Sequence, residues 1–256
     1  MDNLISKTEE FVEKHMSQYD CSHDFAHVQR VVRLARYIAQ QEDGQKCCEN
    51  TISDAKDSEE AIKRVQQNVQ PAKYDHGIVT LAALLHDVGD KKYISSSHET
   101  PRPASDVLKA NGASEALAST VQTIVENISY STEVRNGGKD PTLLAALLAQ
   151  YPELGPVQDA DRLDALGAAG IARCFAYRGA LSKRSAKAAK EKGDVIKDAQ
   201  MEKESLDSTF RHFDEKLLKL EGMMKTETGR RLAEERTERL RIFRNWWTEE
   251  IILQKS

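Results

Sequence analysis

Apolar residues recur every three or four positions along most of this chain, as in Val28, Val31, Leu34, Ala35 and Ile38. No run alternates apolar and polar residues in the way a half-buried strand requires. That periodicity restricts the chain to an all-α fold. With 256 residues, 39% of them hydrophobic, there is enough apolar material for one sizeable core. The expectation is a single domain over 1–256, carrying an inserted polar segment at about 43–74 and a C-terminal helical extension at about 182–256.

Helix boundaries can be read in places. Ser22 is a candidate cap for the helix bearing the first stripe, and a second helix begins at Asp75 or Ile78 and runs through LAALLHDV to Gly89. Further helices are expected at Ala104–Lys109, from the Ser114 cap to about Ile128, at Thr142–Gln150, and without a break over Val157–Tyr177. Arg135–Pro141 reads as a turn-rich loop. Two amphipathic helices close the chain, one with Phe210, Phe213, Leu217 and Leu220, the other with Leu232, Leu240, Phe243, Trp247 and Ile251.

Charge narrows the range of partners. A formal net charge of -4 and a pI near 6.0 argue against a nucleic-acid polymer, which would need a surplus of Lys and Arg. The apolar run Ile78–Leu85 is far too short for the roughly 20 residues of a membrane span. The acidic start, MDNLISKTEEFVEKH, is wrong for a secretory or mitochondrial leader. A cytoplasmic location is expected, the nucleus not excluded. Cys21, Cys47, Cys48 and Cys174 form no CxxC pair and read as reduced thiols.

Three places set ionisable residues inside apolar helices, where an unpaired charge would cost several kcal/mol. They are His27, the His86–Asp87 pair, and Asp159, Asp161 and Asp164 in VQDADRLDALGA. Two imidazoles and two carboxylates make a mixed nitrogen and oxygen site suited to one divalent ion, with Mn²⁺ favoured and Fe²⁺, Co²⁺, Ni²⁺, Zn²⁺ or Mg²⁺ admissible.

The segments HDFAHVQRV, LLHDVGDKKY and VQDADRLDALGAAGIARCFAY resemble, in that order, the H…HD…D pattern of the HD-domain metal-dependent phosphohydrolases. Their wording is similar to the YedJ/YpgQ-like branch, whose characterised bacterial member is a nucleoside triphosphate pyrophosphohydrolase. HFDEKLLKL and TETGRRLAEER extend the resemblance, so that it runs from about Ser22 to Trp247. It implies an HD-type helical bundle with additional C-terminal helices and a metal held by His27, His86, Asp87 and Asp161, with Asp159 the rival for the last place. It further implies that Asp90 handles a proton near the attacking water, and that Lys91 and Arg162 offset phosphate charge. Asp164 is a further candidate substrate contact. The implied substrate is a nucleotide, with a homodimer as a compatible assembly.

The implied reaction gives a nucleoside monophosphate and pyrophosphate from a (deoxy)nucleoside triphosphate. A nucleotidase acting on (deoxy)nucleoside monophosphates is the alternative. A di-iron oxygenase would need more histidines than His98 between Asp87 and Asp161, and a non-catalytic nucleotide-binding module would not need an intact ligand set. Other residues read as structural. His15, His76, His98 and His212 are surface or core histidines, and His23 is a surface neighbour of the site. Arg30 is an ion-pair partner, Trp246–Trp247 and Met223–Met224 are packing residues, and Lys183–Lys192 is a solvated helix face.

Overall fold

A computed structural model gives the fold, describing residues 1–17, 24–44, 73–88, 103–137, 141–191 and 209–253. Its helices are α1 (Asp2–Met16), α2 (Phe25–Glu42), α3 (His76–Leu85), α4 (Ala104–Ala110), α5 (Glu115–Glu126), α6 (Tyr130–Gly137), α7 (Pro141–Gln150), α8 (Leu154–Asp164), α9 (Gly167–Glu191) and α10 (Glu227–Leu253). A 3₁₀ helix occupies Leu217–Met223 after a helical stretch at 209–215. Among the described residues there is no β-strand, in keeping with the all-α reading.

The stripe of Val28, Val31, Ala35 and Ile38 is the buried face of α2, which packs chiefly on α8 and α3. Val79 to Leu85 of α3 are all buried, so this helix is enclosed on every side. α8 is nearly as deep, yet it carries Gln158, Asp159, Arg162 and Asp164 into the interior. Such polar groups need partners there. α10 crosses α9, α8 and α2 and is fastened by rings: Phe210 stacks on Trp247 at 4.7 Å, and Phe175, Phe213 and Phe243 complete the cluster. Met224 is buried and Met223 packs on the core, whereas Trp246 is 59% exposed and is not the packing residue expected.

Several boundaries differ from the sequence reading. α2 is capped by Asp24, whose Oδ1 accepts from the His27 amide at 3.0 Å; Ser22 and His23 lie outside the described residues. Arg135–Gly137, expected in a loop, belongs to α6, where the preceding Tyr130–Val134 run carries the helix through. The expected continuous helix over Val157–Tyr177 is broken at Ala165–Leu166. Gly167 there has φ +67°, a left-handed conformation that lets α9 leave in a new direction. The acidic N-terminus forms an amphipathic helix with Thr8, Val12 and Met16 buried. Most of the polar 43–74 segment lies outside the described residues, but its two ends meet. Asp43 accepts from the Lys73 amide at 2.8 Å and pairs with His76 at 2.9 Å.

No helix among the described residues is long and apolar enough to cross a membrane.

Candidate metal centre

His27 is the third residue of α2 and faces inward with Val28 and Val31 on either side of its turn, leaving it 1% exposed. His86 and Asp87 follow directly on α3, whose buried run Val79–Leu85 draws its C-terminal end into the core. Asp161 comes from α8. These three elements bring His27 Nε2 to 3.1 Å from His86 Nε2, and Asp87 Oδ2 to 3.4 and 3.3 Å from the same two nitrogens. Asp161 Oδ1 stands 3.8 Å from both imidazoles.

The ring orientations are fixed from behind. His86 Nδ1 donates to the Ala83 carbonyl at 2.8 Å, and His27 Nδ1 donates to Asp164 Oδ2 at 2.8 Å. In the neutral rings both Nε2 atoms then carry lone pairs, and these point at each other. Asp87 Oδ2 is buried and has no hydrogen-bond partner among the described residues. Two opposed lone pairs and a carboxylate oxygen beside them call for a positive charge between them, and His27, His86 and Asp87 form a donor set that could hold a divalent ion. The electrostatics show the same demand for positive charge at this point. Burial opposes charging His86, but Asp87 and Asp161 outweigh it and push the imidazole up to about 9, so that a proton and a metal ion compete for its Nε2. Asp87, despite its burial, is held well below the ordinary carboxylate range by the two histidines.

Asp164, a candidate substrate contact in the sequence, lies on the opposite side of the His27 ring and is 1% exposed. It accepts from Arg30 Nε at 2.7 Å and from Arg173 Nη1 at 2.9 Å, as well as from His27. Although burial disfavours the charge, these donors hold its carboxyl well below the usual range. Its geometry is that of a group orienting the His27 imidazole, with Arg30 as the expected ion-pair partner. Replacing Asp164 with Asn should therefore weaken metal binding by about 10- to 100-fold, measured as Kd by metal titration; an unchanged Kd would mean that His27 needs no such support.

Asp159 faces elsewhere. It is fully buried and accepts from the Lys225 amide at 2.8 Å and from the Thr226 amide and hydroxyl at 2.8 and 2.7 Å. It thus pins the loop before α10, and Gly229 is required because a Cβ there would collide with its carboxylate. Arg162 is 2% exposed, donates to Glu133 and lies 3.4 Å from Gln158 Oε1, while its Nε is buried without a hydrogen-bond partner among the described residues. Lys225 shares Glu133 at 2.8 Å. Asp90 and Lys91 lie outside the described residues.

A cavity of about 500 Å³ opens beside the centre, with His27, Asp87, Asp161 and Arg162 at one part of its wall. Arg178, Lys216, His212 and Tyr177 also line it. Arg178 Nε is buried with no hydrogen-bond partner among the described residues, and burial together with Lys216 and Arg178 lowers the His212 imidazole to about 4. A neutral histidine and two cations at one wall form a setting for an anion. The sequence reading missed Arg178 and Lys216 and treated His212 as structural. The available signal was Arg173 and Arg178 within the otherwise apolar GIARCFAYRGA stretch.

A helical bundle that brings H, HD and D together from three helices is the arrangement of the HD superfamily. The chain is similar to an HD-superfamily hydrolase from Bacillus thuringiensis, with 28% identity, a TM-score of 0.57, and 96% and 95% of the two chains covered. No protein-family model matches it. It is also 32% identical over 229 residues to YpgQ of Bacillus subtilis, covering 88% of this chain and 83% of the relative, and it therefore belongs to the YpgQ-like family of HD-domain proteins. The structure of YpgQ in complex with ADP has a TM-score of 0.59 to it, at 27% identity over 96% of this chain and 94% of that one.

Proposed function

We propose that the chain is a divalent-metal-dependent phosphohydrolase that cleaves nucleoside or deoxynucleoside triphosphates to a monophosphate and pyrophosphate. The observation that carries this reading is the orphaned Asp87 Oδ2 facing two inward-turned imidazoles at the wall of a cation-lined cavity. The hydrolase neighbour and the ADP complex of YpgQ support a nucleotide substrate. A cavity of about 500 Å³ has the volume of a small-molecule ligand site.

In this reading His27, His86, Asp87 and Asp161 hold the ion, Mn²⁺ being the favoured metal. The ion supplies an acidified water and neutralises phosphate charge. Asp164 and the Ala83 carbonyl keep both imidazoles turned inward. Arg178 and Lys216 bind phosphate oxygens farther along the cavity, where their charge offsets that of the leaving pyrophosphate. Arg162, through its unmatched Nε, adds a donor near the metal. Asp90 accepts the proton of the attacking water, and Lys91 steadies the phosphate beside it.

The experiment is metal analysis followed by product identification on a panel of nucleotides. Pyrophosphate and a monophosphate are expected from triphosphates. Inorganic phosphate released from monophosphates would favour the nucleotidase instead. Asp90→Asn should keep the metal and lower kcat by about 10²- to 10⁴-fold, with a modest change in KM. A kcat near that of the wild type would remove Asp90 from the mechanism.

A further inference from the structure

A second cavity, of about 310 Å³, lies on the other side of Asp164 from the metal centre. Four guanidinium groups line it, Arg30 and Arg33 from α2 and Arg236 and Arg239 from α10, together with Leu34 and residues 166–169. Among the described residues its only lining carboxylate is Asp164, which already accepts from His27, Arg30 and Arg173. Glu235 stands nearby, 4.0 Å from Arg239 and also 3.5 Å from Arg231. Positive charge therefore exceeds negative around this groove, in a chain whose net charge is -4.

Two of the arginines are fixed in place. Arg30 is held on Asp164 by bonds of 2.7 and 3.1 Å, and Arg236 Nη1 donates to the Leu163 carbonyl at 2.6 Å. The Arg236 stem crosses Gly167 so closely that a Cβ there would lie 3.2 Å from it. Arg33 and Arg239 stand more exposed at the rim, with Arg33 Nε on the Gln29 carbonyl at 3.3 Å. Arginine retains several donors after one such bond, and its planar fork matches phosphate oxygens. Like charges converging on a concave surface repel one another and are relieved by an anion.

We propose that this groove is a second anion site, which takes a phosphate-bearing small molecule on Arg33, Arg236 and Arg239, with Arg30 at its floor. It is separate from the cavity that holds the metal centre and does not depend on which reaction occurs there. Inorganic pyrophosphate and AMP are the probes, because the groove's chemistry recognises the phosphoryl group they share.

Hydrogen exchange and equilibrium dialysis would be run on the full chain, on Arg33→Glu/Arg239→Glu, and on Asp87→Ala. Pyrophosphate should slow exchange at the amides of 167–169 in the wild type and equally in Asp87→Ala. In the double variant that protection should vanish and affinity at this site should fall by about tenfold or more, with the far-UV signal unchanged. Protection by AMP as well would assign the groove to nucleotide phosphates, and protection by pyrophosphate alone to the inorganic anion. Undiminished protection in the double variant, its loss in Asp87→Ala, or no protection in the wild type would overturn the proposal.

Discussion

Asp87→Ala is expected to lose both bound metal and turnover, with activity falling by about 10³-fold or more, because several kcal/mol of charge stabilisation leave with the ion. The helical far-UV signal should survive. Asp87 follows α3 and is not part of its packing face, and its Oδ2 makes no hydrogen bond whose loss would strand a donor. A second readout is thermal. At a hundredfold excess of ion over Kd the wild type should gain about 2.7 kcal/mol, or about 5–10 °C in Tm for a chain of this size. The variant should gain nothing. Full metal content in Asp87→Ala, or an equal thermal response, would remove this residue from the site. Asp161→Ala should behave in the same direction.

Asp159→Ala is expected to separate stability from metal binding. The substitution strands the Lys225 and Thr226 amides and the Thr226 hydroxyl inside the core. Unsatisfied buried donors cost about 1–3 kcal/mol each, so a loss of about 3–5 kcal/mol is expected. That corresponds to a fall in Tm of about 10 °C or more. Metal stoichiometry in the folded fraction should remain that of the wild type, because Asp159 points at the loop before α10 and away from His27 and His86. Calorimetry paired with metal analysis checks both halves. A stable Asp159→Ala that has lost its metal would reverse the assignments of Asp159 and Asp161.

The all-α architecture was legible in the sequence because a 3.6-residue apolar period leaves one stable way to bury the stripe of α2 and the largely apolar α3. His27 and the His86–Asp87 pair stood out as candidates for a related reason: ionisable groups within or at the end of apolar helices demand partners; that they would be metal ligands was implied only by the resemblance. Tertiary structure decided the rest. Asp159 and Asp161 are two residues apart, which on a helix turns their side chains about 200° from each other, yet nothing local says which face meets the imidazoles. The packing of α8 between α2 and α10 does. It sends Asp161 to the histidines, Asp159 to 225–226, Asp164 behind His27, and Arg162 onto Glu133. The break at Gly167 depends on a left-handed backbone that an apolar run does not announce. Arg178, Lys216 and His212 line one cavity with His27 across more than a hundred residues of chain, and the four arginines of the second groove come from helices about 200 residues apart. Local periodicity carries no information about such meetings, which follow from the way the helices pack in three dimensions.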